Sequence, residues 1–68
     1  MKRQTQTRDI GFAIRDLCED NAISHVDEDG IEKYGADAIY GVDVSDPDNP
    51  VLHMESHAEF TVRIVRTK

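Results

Sequence analysis

The 68-residue sequence is poor in the residues that usually stabilise small proteins, with one cysteine, no tryptophan and only two tyrosines and two phenylalanines. Because Cys18 has no second cysteine to pair with, a disulfide within the chain is excluded, and this favours a reducing compartment. A chain of this length buries only about 60% of the surface that its unfolded form exposes. Its stability must therefore come from local propensity or from a second subunit.

Long hydrophobic runs are also missing from the sequence. No apolar stretch is long enough to span a bilayer, and the basic start MKRQTQTRD lacks the apolar region of a signal peptide. We therefore predict a cytoplasmic protein with no membrane association. Residues 1–68 are expected to form a single small domain, with residues 1–6 as a frayed N-terminal tail.

Basic side chains are nearly absent from the middle of the chain. Residues 16–48 contain eleven carboxylates and one cation, Lys33, so this segment carries −10 within a chain of net charge −6. Residues 1–15 and 49–68 are weakly basic, at +3 and +1. A negative field of this size repels nucleic acid and attracts basic surfaces. The acids are Asp16, Glu19, Asp20, Asp27, Glu28, Asp29, Glu32, Asp37, Asp43, Asp46 and Asp48.

The first regular element is predicted to be an amphipathic helix over residues 7–20. Apolar side chains recur there at the i, i+3, i+4, i+7 and i+8 positions of one face, at Ile10, Ala13, Ile14, Leu17 and Cys18. Thr7 is expected as the N-cap, and Asn21 as the left-handed residue that ends the helix.

Residues 22–35 allow two interpretations. The favoured one is a short helix from about Glu28 to Tyr34, because Asp29 and Glu32 have capping-box spacing, with Gly35 as its left-handed stop. The alternative is a hairpin in which AISHV and IEKY pair across a turn at Asp29-Gly30.

Three later segments have the composition of strands. Residues 38–44 alternate so that Tyr40, Val42 and Val44 share a face, residues 51–54 are a short edge strand, and residues 58–66 alternate most clearly. We expect the first and last of these to pair antiparallel, with the first helix across their apolar face. The predicted class is α+β, with two helices packed on a two- to three-stranded antiparallel sheet.

The sequence contains no catalytic or metal-binding pattern with the required spacing. Placing Gly30 at the glycine of a calcium loop puts His25 and Ala36 at the two acidic positions, so the EF-hand register fails. His53 and His57 have the spacing of zinc-finger histidines but no cysteine pair precedes them. Cys18 lies on the apolar helix face, which predicts a buried core thiol and not a nucleophile. We predict no enzyme activity, no cofactor and no metal.

The acidic middle is the remaining feature, and it predicts a surface that binds a basic protein, such as part of a nucleic-acid-binding complex. The predicted function is a non-catalytic inhibitor or adaptor that contacts no nucleic acid itself. In size and charge alone the chain is similar to phage-encoded proteins that disable host machinery, such as anti-CRISPR proteins. The alternatives are a homodimerising structural module and a metal-dependent domain. The predicted partner-binding residues are Glu19, Asp20, Asp27, Glu28, Asp29, Glu32, Tyr34, Asp37, Asp43, Asp46 and Asp48.

Overall fold

A computed structural model describes residues 3–68 of the chain. The elements are α1 (Thr7–Cys18), β1 (Ala22–Val26), β2 (Glu32–Asp43), β3 (Val51–Met54) and β4 (Glu59–Thr61). The four strands form an antiparallel sheet in which each strand pairs with the next along the chain. The α+β class is confirmed, although residues 3–68 contain one helix and four strands where two helices and two to three strands were predicted.

The predicted first helix is confirmed, but both of its ends differ from the prediction. Gln6 is the N-cap, and its backbone N–H donates to the Asp9 carboxylate at 2.8 Å. Thr7 is the first helical residue, and its hydroxyl donates to Asp48 across the fold. At the other end Asp20, not Asn21, has the left-handed conformation (φ 67°). Asn21 instead donates its side-chain amide to the Leu17 carbonyl oxygen.

Asp9 makes the start of α1 sensitive to acid. The backbone N–H of Gln6 lowers the pKa of the Asp9 carboxyl below its ordinary 3.8, and Arg3, whose guanidinium lies 2.7 Å away, lowers it further. Since the folded pKa lies below the unfolded one, this carboxylate stabilises the fold above pH 3.8 and loses that effect as the pH falls through the folded pKa. We expect Asp9→Asn to lower the melting temperature at pH 7 and to converge with the wild type as the pH falls below the folded pKa of Asp9.

Thermal melts followed by circular dichroism at several pH values check this expectation. The matched control is Glu28→Gln, because Glu28 accepts no hydrogen bond and forms no ion pair within residues 3–68. A constant difference between Asp9→Asn and the wild type across the whole pH range would contradict the proposed role of Asp9.

The predicted short helix over residues 28–34 is wrong, and the hairpin alternative is confirmed. Val26 pairs with Glu32, and residues 27–31 form the turn between β1 and β2. The Asp27 carboxylate accepts hydrogen bonds from the backbone N–H groups of Asp29 (2.9 Å) and Ile31 (3.0 Å), and Gly30 has φ 80°. Local bonds of this kind compete with a helix, and a left-handed glycine favours the turn.

Strand β2 contains two irregularities that change which side chains face the core. Gly35, at φ 91°, lies where the register with β1 shifts between Ser24 and Val26. A second shift places Tyr40 between the Ile39–Met54 and Gly41–His53 pairs. One extra residue in a strand reverses the alternation beyond it. Ile39 and Val42 are therefore both buried, and Tyr40 is exposed, so the prediction that Tyr40 shares the inner face with Val42 is wrong.

The order of the strands also differs from the prediction. Strand β3 is not an edge strand: it lies between β2 and β4, so residues 38–44 pair with β3 and not with residues 58–66. A tight turn explains this, because the His57 N–H donates to the Met54 carbonyl oxygen at 3.0 Å, and strands joined by such turns pair with each other. Regular β4 ends at Thr61, and Val62 then donates to the Pro50 carbonyl oxygen at 2.9 Å.

The hydrophobic core is small and lies between α1 and the sheet. Its buried side chains are Ile39, Val42, Leu52 and Met54. From the predicted helix face, Ile14 and Cys18 pack against them, whereas Leu17 is 73% exposed. Cys18 is a free, partly buried thiol, which fits the predicted core role.

Candidate functional site

The turn of the β1–β2 hairpin gathers the densest group of acidic side chains. We call residues 26–34 the hairpin tip; it carries Asp27, Glu28, Asp29 and Glu32, all from the predicted binding set. The predicted Tyr34 is also here, with its side chain exposed, and it lines an open hollow of about 430 Å³ together with Val26 and Asp27–Asp29. Ile31 is exposed beside it. The tip therefore combines carboxylates with exposed apolar and aromatic surface.

The carboxylates of the hairpin tip differ in whether they form hydrogen bonds within the fold. Asp27 holds the turn through its two backbone hydrogen bonds, so its side chain is part of the structure. Glu28, Asp29 and Glu32 are exposed, and their carboxylates make no hydrogen bond or ion pair within the described residues. These three are free to contact another molecule without any cost to the fold.

A second group of predicted acids lies at the end of β2 and in the loop that follows it, and each of these acids accepts an internal hydrogen bond. Asp43 accepts from the hydroxyl (2.7 Å) and the backbone N–H (2.8 Å) of Ser45. Those bonds, the hydroxyl first, lower the pKa of the Asp43 carboxyl. Asp46 accepts from the Asn49 amide at 3.1 Å, and Asp48 accepts from Thr7 of α1. These acids shape the loop and hold it against the helix.

The other predicted acids lie away from the hairpin tip. Glu19 and Asp20 follow α1, and the Asp20 N–H donates to the Ile39 carbonyl oxygen at 2.8 Å. Ile39 lies seven residues along β2 from Glu32, or about 23 Å in an extended strand. Asp37 accepts hydrogen bonds from the backbone N–H (3.2 Å) and the hydroxyl of Ser56, which tie β2 to the β3–β4 turn. The predicted binding residues thus divide into separate groups.

Few of the acids are neutralised by cations. Within residues 3–68 the ion pairs are Arg3–Asp9 and Arg15–Asp16, with shortest distances of 2.7 and 3.1 Å, and the His53 Nδ1 atom lies 3.5 Å from the Glu59 carboxylate. Of the eleven carboxylates in residues 16–48, only Asp16 is among them. The negative charge of the hairpin tip is therefore open to solvent and to a cationic partner.

The structure also shows a feature that the sequence analysis missed, an apolar groove of about 500 Å³ on the inner face of the curled sheet. We call it the sheet groove. Leu52 and Met54 of β3 form its buried floor, and Ile23 of β1 and Phe60 of β4 form exposed walls. Asp37 contributes a carboxylate at its edge. Sequence alternation gives no sign of this groove, since it depends on β1 and β4 curling toward the same hollow.

The candidate metal ligands do not come together in the part of the chain that the structure describes. No group of three or more histidine, cysteine, aspartate or glutamate side chains there is arranged to hold a metal ion. His53 faces Tyr40, with ring centroids 6.0 Å apart, and lies next to Glu59. His57 occupies the β3–β4 turn at φ 74°.

The two ends of the described chain meet near the start of α1. The Arg66 guanidinium donates to the Thr5 carbonyl oxygen at 3.1 Å and to the Gln4 side chain at 3.4 Å. Gln4 and Thr5 of the predicted frayed tail thus contact the C-terminal segment, and residues 1 and 2 lie outside the described residues. Arg66 and Lys68 line an open hollow here together with residues 4–7 and Ile10.

Comparison with known proteins places the chain in no group: no family model matches it, and neither does any curated protein or solved structure. Within residues 3–68, no helix has the length and apolar character to cross a membrane. The function must therefore be argued from the geometry and charge of the hairpin tip and the sheet groove.

Proposed function

We propose that this chain is a non-catalytic binding protein that docks on a basic protein surface through its hairpin tip. Such a protein acts by occupying its partner, as an inhibitor or an adaptor, and a nucleic-acid-binding surface offers the charge that it would recognise. The size and charge analogy with phage-encoded inhibitors, including anti-CRISPR proteins, belongs to the same proposal. The proposed contact residues are Glu28, Asp29 and Glu32 for charge, and Ile31 and Tyr34 as apolar anchors.

One observation carries this proposal: unpaired carboxylates and exposed apolar side chains occupy the same turn. Charge alone speeds association and sets its salt dependence, but desolvated aromatic and aliphatic anchors supply most of the binding free energy. At the hairpin tip Tyr34 shares a hollow with three of the acids, and Ile31 is exposed in the same turn. Asp43 at the end of β2 and the loop acids Asp46 and Asp48 accept internal hydrogen bonds, so they support the proposal less.

The test is charge reversal at the tip without loss of the turn. The variant Glu28→Lys/Asp29→Lys/Glu32→Lys leaves Asp27 and its hydrogen bonds in place. Each replacement changes the charge by two, so the net charge goes from −6 to zero. We expect this variant to lose at least tenfold in affinity for the basic proteins that the wild type captures from a cell lysate. Capture by the wild type should weaken as salt is raised from 50 to 500 mM.

A second triple variant tests whether the affinity depends on where the negative charge lies or only on the net charge. Asp16→Lys/Glu19→Lys/Glu55→Lys has the same net charge, and all three residues are exposed and lie outside the hairpin tip. We expect it to keep most of the wild-type affinity. Equal losses for the two variants would show that only the overall charge matters, and that result would refute the hairpin tip as the docking site.

The second candidate is a homodimerising module, and it is favoured by the amount of exposed apolar surface. Exposed large hydrophobic side chains outnumber the four buried ones of the core. They are Ile10, Phe12, Leu17, Ile23, Val26, Ile31, Tyr34, Tyr40, Phe60 and Val65. A second copy that covered part of this set would add stability that a core of this size lacks. Sedimentation equilibrium at micromolar concentration distinguishes the two, since a tight dimer supports this candidate.

A further inference from the structure

The sheet groove has the form of a binding site for one large apolar side chain. Its floor is buried protein, with Met54 at 3% and Leu52 at 8% exposure. Its walls are open, with Ile23 at 45% and Phe60 at 57% exposure. Ala58 is a small residue of the lining, which also includes the polar residues His25, Asp37 and Ser56. A leucine, methionine or phenylalanine side chain placed between these walls would bury its own surface and part of theirs.

The position of the groove connects it to the acidic hairpin tip. Ile23 pairs with Asp37, and three residues further along β1, Val26 pairs with Glu32 at the tip. Three residues of extended chain span about 10 Å. An extended segment that follows β1 with an apolar residue in the groove therefore brings its next residues beside Glu28, Asp29 and Glu32. Strand β1 is at the edge of the sheet, so such a segment can run along it.

The charges around the groove determine what kind of segment fits. The titratable residues that line the groove are Asp37 and His25, the hairpin tip beyond it is acidic, and the chain as a whole carries −6. A second copy of this chain would bring a further −6 to the same place, and like charges brought together are destabilising. A cationic segment is attracted by the same field. Charge complementarity thus favours a basic partner over a second copy.

We propose that the sheet groove binds a single large apolar side chain of an extended basic segment whose lysines or arginines contact the hairpin tip. This inference rests on the proposed function, and it adds the chemistry of the partner: an apolar anchor with cations two to four residues away. The groove supplies selectivity for the anchor, and the hairpin tip supplies the attraction for its flanking charges.

The test uses two synthetic peptides of seven residues. The first has a central leucine flanked on each side by a serine and then two lysines, and the second has serine at the centre. We expect the leucine peptide to bind the wild type about tenfold more tightly, the gain that burial of one leucine side chain typically gives. In a ¹⁵N and methyl NMR titration, the signals of Ile23, Met54 and Phe60 should shift with the leucine peptide and much less with the serine peptide.

Two matched variants test whether the sheet groove is the site that binds the leucine side chain. Ile23→Lys puts a cation into the groove wall, whereas Leu17→Lys makes the same change at an exposed residue of α1 outside the groove. We expect Ile23→Lys to remove the preference for the leucine peptide and Leu17→Lys to keep it. Should Ile23→Lys fail to fold, the NMR shifts of the wild type decide the question alone.

The results that would refute binding of an apolar side chain in the sheet groove differ from those that would refute docking through the hairpin tip. Equal affinity for both peptides, with binding still lost in the charge-reversed hairpin tip, overturns the groove proposal and leaves the proposed function standing. A preference for leucine that persists when the tip is reversed, with unchanged affinity, overturns the requirement for a basic segment and the proposed function with it. A wild-type dimer that dissociates as the leucine peptide binds identifies a second copy as the occupant and also overturns the proposal.

Discussion

Replacing Gly11 by alanine should destabilise the protein by about 2 kcal/mol or more, although alanine is the better helix former. Gly11 lies in the middle of α1, and a Cβ atom built on it would be 1.7 Å from the carbonyl oxygen of Pro47 and 2.7 Å from its carbonyl carbon. Both are backbone atoms, so no side chain can rotate away to make room. The helix must separate from the β2–β3 loop, or the loop must move.

The magnitude follows from two opposing effects. Alanine gains about 1 kcal/mol of helix propensity over glycine in a helix interior. Forcing an extra carbon into a packed contact costs about 1–3 kcal/mol, and a clash with rigid backbone belongs at or above the upper end of that range. The whole free energy of unfolding is about 0.05–0.15 kcal/mol per residue for ordinary proteins. A net loss of about 2 kcal/mol or more is therefore a large share of the stability of so short a chain.

Urea unfolding followed by circular dichroism measures this loss, and Gly41→Ala is the matched control. A Cβ atom at Gly41 meets nothing within 4 Å, and its φ is not among the positive values found at Gly30 and Gly35. We expect its unfolding midpoint to stay close to that of the wild type, within the roughly 0.5 kcal/mol typical of substitutions away from packed features. A Gly11→Ala protein as stable as Gly41→Ala would mean that α1 does not approach Pro47 closely.

The parts of the fold that follow from local pattern were predicted from the sequence. The 3.6-residue periodicity gave the helix, because Ile14 and Cys18 do face the core, and the composition of residues 51–54 identified a strand. The hairpin around Asp29-Gly30 was identified only as the alternative. Capping-box spacing at Asp29 and Glu32 favoured a helix, but the hydrogen bonds of the Asp27 carboxylate hold the turn. The hydrogen bonds that hold the turn come from the single Asp27 side chain and reach no further than four residues. The sequence pattern does not show whether such bonds outweigh the spacing that favours a helix.

The site was predicted less completely, since charge counts show how many carboxylates there are but not what each one does. Asp43 at the end of β2 and Asp46 in the following loop accept hydrogen bonds from residues two and three positions along the chain, as such residues do in turns, and Asp48 accepts from Thr7 of α1. The exposed acids of the hairpin tip depend on the hairpin existing at all. The sheet groove depends on the pairing of all four strands, which no local pattern contains.

Ile39 and Tyr40 provide the clearest test of the bulge in β2. Regular alternation would bury Tyr40 and expose Ile39, whereas the structure does the opposite. In a regular strand Tyr40 would share the inner face with Val42, and Ile39 would point away from it. The register shift at Tyr40 reverses this, so that Ile39 is 2% exposed and Tyr40 is 59% exposed. Ile39 is thus one of the four buried hydrophobic side chains that form the core within residues 3–68.

We expect Ile39→Ala to lower the free energy of unfolding by about 2–5 kcal/mol, the usual range for an aliphatic side chain removed from a core. In a core this small, that loss should abolish the cooperative transition at 37 °C. Tyr40→Ala should cost less than about 1 kcal/mol, because it removes one cross-strand aromatic contact, with His53 at a centroid distance of 6.0 Å. Urea midpoints of the two variants decide between the regular and the bulged strand. The reverse order, with Tyr40→Ala the more damaging, would require a regular β2 with Tyr40 inside.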